Sequence, residues 1–210
     1  MMNLAELWHS NDSQIWEKAL DRYWGLIRPA NVELEREMET LALARIRAFD
    51  QQAWYEFLRD EYFRWKYTAA NRYATTTRNL QRYIDEGTLP ELFQIKESLL
   101  RLDNRDIALG LVIASKIRGL GTAGASGLLA LMHPQTFATV DQFVVKALRN
   151  IGDLPETALL EKMNPMNLRI QDGVTLIGIM SRKASENNQA FGTKVWTPRR
   201  IDKILWTYGR

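Results

Sequence analysis

The chain contains no cysteine, which excludes disulfide bridges and any iron–sulfur cluster held by thiolates. It has only two histidines, His9 and His133, and their wide separation in the sequence argues against a histidine-based metal site. We therefore expect neither a metal nor another cofactor.

Long apolar runs are also missing, so the sequence predicts no membrane-spanning segment. The first ten residues lack a basic region followed by an apolar one, and we expect no secretory signal there. We therefore expect a cytoplasmic protein without a membrane partner. A net charge of +3 is too small to indicate nucleic-acid binding by itself, so any basic surface must be local.

Glycine and proline are sparse, strand-like alternation is rare, and apolar residues recur with helical spacing. The pattern predicts an all-α fold, with residues 63–77 as a loop, Asn31, Asp103 and Thr139 as helix caps, and 185–192 as the most linker-like stretch. The predicted helices cover about 13–27, 32–49, 51–62, 75–84, 89–100, 104–117, 123–132, 140–150, 156–163, 166–186 and 198–206.

The most informative segment is 113–149, IASKIRGLGTAGASGLLALMHPQTFATVDQFVVKALR. It reads as a helix, a Gly-Leu-Gly turn, a second helix, a loop, and an aspartate that opens a third helix. Glycines allow a sharp turn, and the amides of Gly119, Gly121 and Ala123 at a helix start suit an anion such as a phosphate. Taken alone, the same glycines are more typical of a plain turn between helices.

In its order of elements this segment resembles the helix-hairpin-helix DNA glycosylases, the group that contains endonuclease III, MutY and the alkylbase and 8-oxoguanine glycosylases. The family signature is a small-residue hairpin, a helix, and a catalytic aspartate after an apolar residue, matched here by Ala138-Thr139-Val140-Asp141. The resemblance implies a two-lobed helical bundle that acts as a monomer on double-stranded DNA. It places a helical barrel lobe at 31–137, with the hairpin at 113–132, and a second lobe at 1–30 plus 138–210.

By the same resemblance, Asp141 stabilises the positive charge that develops on the sugar when an N-glycosidic bond breaks. The structural alternative is a simple N-cap. Bifunctional relatives carry a lysine just after the hairpin, and that position is Ala123 here, so the resemblance implies a monofunctional enzyme. Lys66, Lys116 and Lys146 are weaker candidates for a Schiff-base lysine.

A base must leave the DNA stack before an enzyme can act on it. The aromatic and polar segment 63–77 is the candidate source of the substrate pocket, and its alternative interpretation is a loop whose aromatics fill the core. The pocket candidates are Trp65, Lys66, Tyr67, Asn71, Arg72 and Tyr73.

Residues on and near the hairpin are candidate DNA contacts, although a solvated helix face explains charged residues equally well. The DNA-contact candidates are Lys116, Arg118, Gly119, Gly121, Thr122, Ala123, Gln142, Lys146 and Arg149. We expect the acidic residues Glu33, Glu35, Glu37 and Glu39 to form an exposed helix face, and the aromatic tail 196–208 to pack in the core. Two other functions remain open: a non-catalytic helix-hairpin-helix DNA-binding protein in a repair or defence assembly, and a helical interaction protein.

Overall fold

The computed structural model describes residues 2–210, and over this range the chain is helical and contains no β-strand. The all-α prediction is therefore confirmed. A 3₁₀ turn lies at Pro29–Asn31 and a π-helical turn at Phe57–Tyr62. The α-helices are α1 (Leu4–Trp8), α2 (Ser13–Leu26), α3 (Val32–Glu39), α4 (Leu43–Ala48), α5 (Gln51–Glu56), α6 (Phe63–Lys66), α7 (Ala70–Asp85), α8 (Leu89–Leu100), α9 (Ile107–Ala114), α10 (Thr122–Met132), α11 (Gln142–Arg149), α12 (Thr157–Lys162), α13 (Ile170–Phe191) and α14 (Pro198–Gly209).

Two of the three predicted helix caps are wrong. Asn31 does occupy the N-cap position of α3, although its side chain makes no capping hydrogen bond, whereas Asp106 caps α9 in place of Asp103. Asp141, not Thr139, caps α11, because its side-chain oxygen accepts hydrogen bonds from the first turn. In both of the last two cases an aspartate just before the first helical residue satisfies amides that the helix itself leaves free.

The helix predicted over 32–49 is interrupted at residues 40–42. The Thr40 hydroxyl donates to the carbonyls of Arg36 and Glu37, and such local bonds compete with continued helix formation.

The segment 63–77, predicted as a loop, is mostly helical, and only 67–69 join α6 to α7. Burial explains the difference, because Tyr62 and Phe63 are fully buried where the π-helical turn meets α6. The prediction for 185–192 is also wrong. Most of this polar stretch belongs to α13, and Asn188 there binds the backbone of Trp196 through both its amide nitrogen and its oxygen.

Helix α14 occupies the centre of one side of the molecule, where α2, α11 and α13 pack against it. Helix α13 in turn contacts α9 and α10, and α8 joins α9 to α5. Buried residues from all these helices form one continuous hydrophobic cluster, including Trp196 of the predicted core tail. Within residues 2–210, no helix combines the length and the apolar character needed to span a bilayer.

Candidate functional site

The two glycines of the 119–121 turn have different surroundings. Gly119 has a φ of +94°, and a Cβ there would lie 2.9 Å from the backbone oxygen of Thr76, so this glycine permits close contact with α7. Gly121 is exposed, and a Cβ there would meet no atom within 4 Å. The space left by a missing side chain is therefore open only at Gly121.

Gly121 is also the N-cap residue of α10, and as a glycine it has no side chain that could accept a capping hydrogen bond. Its carbonyl accepts from the Ala125 amide at 2.8 Å, whereas the amides of Gly121, Thr122 and Ala123 find no protein acceptor in residues 2–210. Free amides at the start of an eleven-residue helix, together with the helix dipole, favour an anion at this point.

A buried serine ties this helix to the segment that precedes Asp141. The Ser126 hydroxyl accepts from the Val140 amide at 2.9 Å and donates to the Ala123 carbonyl at 3.0 Å. Val140 and Thr122 also lie together beside Gly173 of α13. The start of the hairpin helix and the residue before Asp141 are thus held in one packed unit.

Asp141 uses one carboxylate oxygen as a helix cap. Its Oδ1 accepts from the amides of Phe143 at 2.9 Å and Val144 at 3.1 Å. Its side chain is partly exposed, and no protein group among residues 2–210 donates to Oδ2. The two interpretations of this residue are therefore compatible, since one oxygen fixes the carboxylate and the other remains available.

Asp141 lines a cavity of about 280 Å³. This is much larger than the space for one water molecule, whose share of liquid volume is about 30 Å³. The walls come from distant parts of the chain, with aromatic side chains next to charged ones. The principal wall residues are Tyr23, Glu35, Trp65, Lys66, Asp141, Phe143, Arg199, Asp202 and Trp206.

A buried network of charges forms one side of the cavity. Arg199 pairs with Asp202 at 2.7 Å, with Glu39 at 3.0 Å and with Glu35 at 3.2 Å. Glu35 also accepts from the Tyr23 hydroxyl at 2.5 Å and the Trp65 indole at 2.7 Å. The prediction that Glu35 belongs to an exposed acidic face is therefore wrong, because these donors draw it into the interior.

Asp202 holds the backbone two residues before Asp141, the catalytic candidate. Its Oδ2 accepts from the Thr139 amide at 2.6 Å. Burial raises the pKa of Asp202 to about 6, although Arg199 and the Thr139 amide oppose this shift. Residues 139 and 140 thus have their amides fixed by Asp202 and Ser126, respectively, and Asp141 follows directly.

The structure divides the predicted pocket residues into two groups. Trp65 and Lys66 line the cavity. Tyr67, Asn71, Arg72 and Tyr73 lie outside its walls; Asn71 and Arg72 are exposed on α7, and the Tyr67 hydroxyl lies against Gly124.

Four of the nine predicted DNA contacts are exposed, namely Lys116, Gly121, Gln142 and Lys146, whereas the Thr122 side chain is buried. Arg118 pairs with Glu86 at 2.6 Å and stacks on the Tyr83 ring. Arg149 instead donates to carbonyls at the end of α12, including those of Leu160 and Met163, which explains it as a structural contact.

Several residues of the cavity wall could not be recognised as site residues from the sequence. Glu35, Arg199 and Asp202 come from helices far apart in the chain, and Trp206 was assigned to the core although it lines the cavity. Three exposed arginines also border the cavity, namely Arg28, Arg64 and Arg210. A buried position for Glu35 could have been found only from its helical spacing to Met38, which shares its buried face.

Comparison with known proteins identifies no relative, since no family model, no curated protein and no solved structure matches this chain. The geometry of the hairpin, the aspartate and the cavity therefore carries the functional argument.

Proposed function

We propose that the protein is a DNA glycosylase, which takes a damaged or modified base out of the duplex and hydrolyses its N-glycosidic bond. One observation carries this proposal. Asp141 has one oxygen fixed as the cap of α11 and the other available at a cavity, and a hydrogen bond from Val140 to Ser126 links its approach to the hairpin helix.

In this proposal the hairpin holds the DNA backbone. The free amides from Gly121 to Ala123 bind one phosphate without reading the sequence, and the open side of Gly121 permits the approach. Exposed cations supply further phosphate contacts, and binding should therefore weaken as salt is raised. These cations are Lys116 just before the hairpin, Lys146 on α11, and Arg28, Arg64 and Arg210 at the cavity.

The cavity receives the displaced nucleotide. Trp65 and Trp206 offer aromatic surfaces for a base, and the buried Glu35–Arg199 network prevents Trp65 from moving, because its indole donates to Glu35. As the bond to the base breaks, the sugar becomes positively charged, and the carboxylate of Asp141 stabilises that charge and orients the attacking water. A fixed carboxylate does this without reorganising during the reaction.

Ala123, the residue just after the hairpin, has no nucleophilic side chain. In this proposal water therefore attacks the sugar as the base leaves. The alternative function is a non-catalytic DNA-binding protein. The capping hydrogen bonds of Asp141 favour this alternative, because they give the aspartate a structural role that needs no catalysis.

A panel of duplexes, each with one altered base, tests the proposal. Each duplex is incubated with excess protein and then treated with alkali, which cleaves DNA at abasic sites. We expect cleavage at the altered base after alkali treatment in at least one duplex, and none in the same duplex incubated with Asp141→Asn. Binding to the panel without base release by the wild-type protein would favour the non-catalytic alternative.

A further inference from the structure

Lys66 differs from the other lysines that the fold withdraws from solvent. Lys96 donates to the Phe49 carbonyl, Lys183 to the Trp8 carbonyl, and Lys203 pairs with Glu39. In the described part of the chain, no group accepts a hydrogen bond or an ion pair from the Lys66 ammonium. Lys66 is partly exposed at the cavity, so its unpaired amine is accessible to a molecule that enters there.

The Lys66 side chain extends into the cavity that Asp141 lines. Its methylene groups lie along α10, where a Cβ on Gly127 would be 3.2 Å from Lys66 Cδ and 3.4 Å from Cε. Gly127 follows Ala123 by four residues, so the two share one face of the helix. The amine is therefore brought from α6 across the same face of the hairpin helix that carries Ala123.

Burial and four charged groups act on the Lys66 amine. Burial lowers the pKa of Lys66, whereas the nearby carboxylates of Asp141, Asp202 and Glu35 oppose this shift and Arg199 adds to it. A lowered pKa increases the fraction of neutral amine, and the neutral amine is the form that attacks a carbonyl carbon.

We propose that Lys66 is the amine nucleophile of a lyase activity that follows base removal, with an abasic deoxyribose as its substrate. This inference rests on the proposed function for the supply of that substrate. It replaces the nucleophile that Ala123 lacks with one from a different helix, and it makes the enzyme bifunctional, contrary to what the hairpin alone implies.

The chemistry uses only the protein, the sugar and water. The neutral Nζ of Lys66 adds to the C1′ aldehyde of the opened sugar, and loss of one water with uptake of one proton gives an iminium ion. A proton then leaves C2′, the C3′–O bond breaks, and the 3′ phosphate departs with the bonding electron pair. Water finally hydrolyses the imine and restores the lysine.

Reductive trapping on duplex DNA with a preformed abasic site tests this step separately from base removal. Borohydride adds hydride to the imine and leaves a stable protein–DNA adduct, which is counted on a denaturing gel and located by peptide mass spectrometry. We expect the adduct at Lys66 of the wild-type protein. An adduct confined to another amine, or no adduct at all, overturns the proposal.

Two variants and a control complete the design. Lys66→Arg keeps the positive charge and Lys66→Gln keeps much of the length; each should reduce trapping by about tenfold or more, since the positioned amine is lost. The control is Lys194→Gln, which changes an exposed lysine away from the cavity and should trap like the wild type. Thermal melting identifies any variant that fails to fold, and wild-type trapping by Lys66→Arg would overturn the assignment.

The outcomes also separate this inference from the proposed function. If the wild-type protein releases a base but forms no adduct, the glycosylase proposal stands and the role of Lys66 is overturned. If the protein traps abasic DNA through Lys66 but releases no base from the panel, the lysine assignment stands and the glycosylase proposal fails.

Discussion

The hydrogen bond from the Val140 amide to the Ser126 hydroxyl links the hairpin helix to the catalytic candidate, and Ser126→Ala removes it. Both residues are fully buried, so water cannot easily replace the lost acceptor. A buried amide left without an acceptor costs about 1–3 kcal/mol. For a chain of this size, about 2–4 °C of melting temperature corresponds to 1 kcal/mol, so we expect the melting temperature to fall by about 2–12 °C.

The same variant should slow base release by more than its stability loss explains. Val140 immediately precedes Asp141, and an unanchored Val140 allows the carboxylate to move. A displacement of about 1 Å at a reacting group can reduce the rate about a hundredfold. We therefore expect the single-turnover rate to fall by about one to two orders of magnitude at a temperature where the variant is fully folded.

Ser115→Ala is the matched control. The Ser115 hydroxyl donates to the Leu111 carbonyl, which already accepts from the Ser115 amide, so no buried group loses its partner. Its stability should change by less than about 0.5 kcal/mol and its rate should not change. If Ser126→Ala behaves like Ser115→Ala in both assays, the Ser126 link does not position Asp141.

Three further predictions concern the hairpin and the buried charges. Gly119→Ala should destabilise the fold by at least about 1–2 kcal/mol, because Gly119 has a positive φ. Gly121→Ala should melt at the wild-type temperature but bind DNA more weakly, because a Cβ there meets no protein atom. Equal stability of the two variants would contradict the different structural roles of the two glycines. Lys116→Ala should reduce the slope of log affinity against log salt by about one, because Lys116 is exposed and forms no ion pair within residues 2–210. Titrations at several salt concentrations measure this slope, and an unchanged slope would exclude the phosphate contact. Arg199→Met should cost about 3–5 kcal/mol in denaturant unfolding, because Glu35 and Asp202 lose their buried partner; a loss below about 1 kcal/mol would show that the network is not needed for stability.

Local patterns in the sequence were sufficient to predict an all-helical chain and most of its helices, but not α1, the break at residues 40–42 or the helices within 63–77. Spacing of apolar residues indicated an all-α chain, and the Gly-Leu-Gly turn correctly marked the start of α10. These features depend on neighbours within a few residues of each other. The segment 63–77 shows the limit of such patterns, because its helices are stabilised by burial of Tyr62 and Phe63 against the rest of the fold.

The walls of the site could not be predicted in the same way. Glu35 and Arg199 are more than 160 positions apart, and the ion pair between them exists only because α3 and α14 meet in the fold. Each residue alone has the character of a surface charge. Lys66 was a candidate on sequence grounds, but the absence of an acceptor for its amine within residues 2–210 depends on which side chains the fold places around it.

Single-turnover base release by Asp141→Asn is the most direct test of the central claim that this carboxylate does the chemistry. Asparagine retains the oxygen that caps α11, so the variant should fold and bind DNA as the wild type does. We expect base release to be lost while DNA affinity is unchanged. Release at the wild-type rate by the folded variant would contradict it.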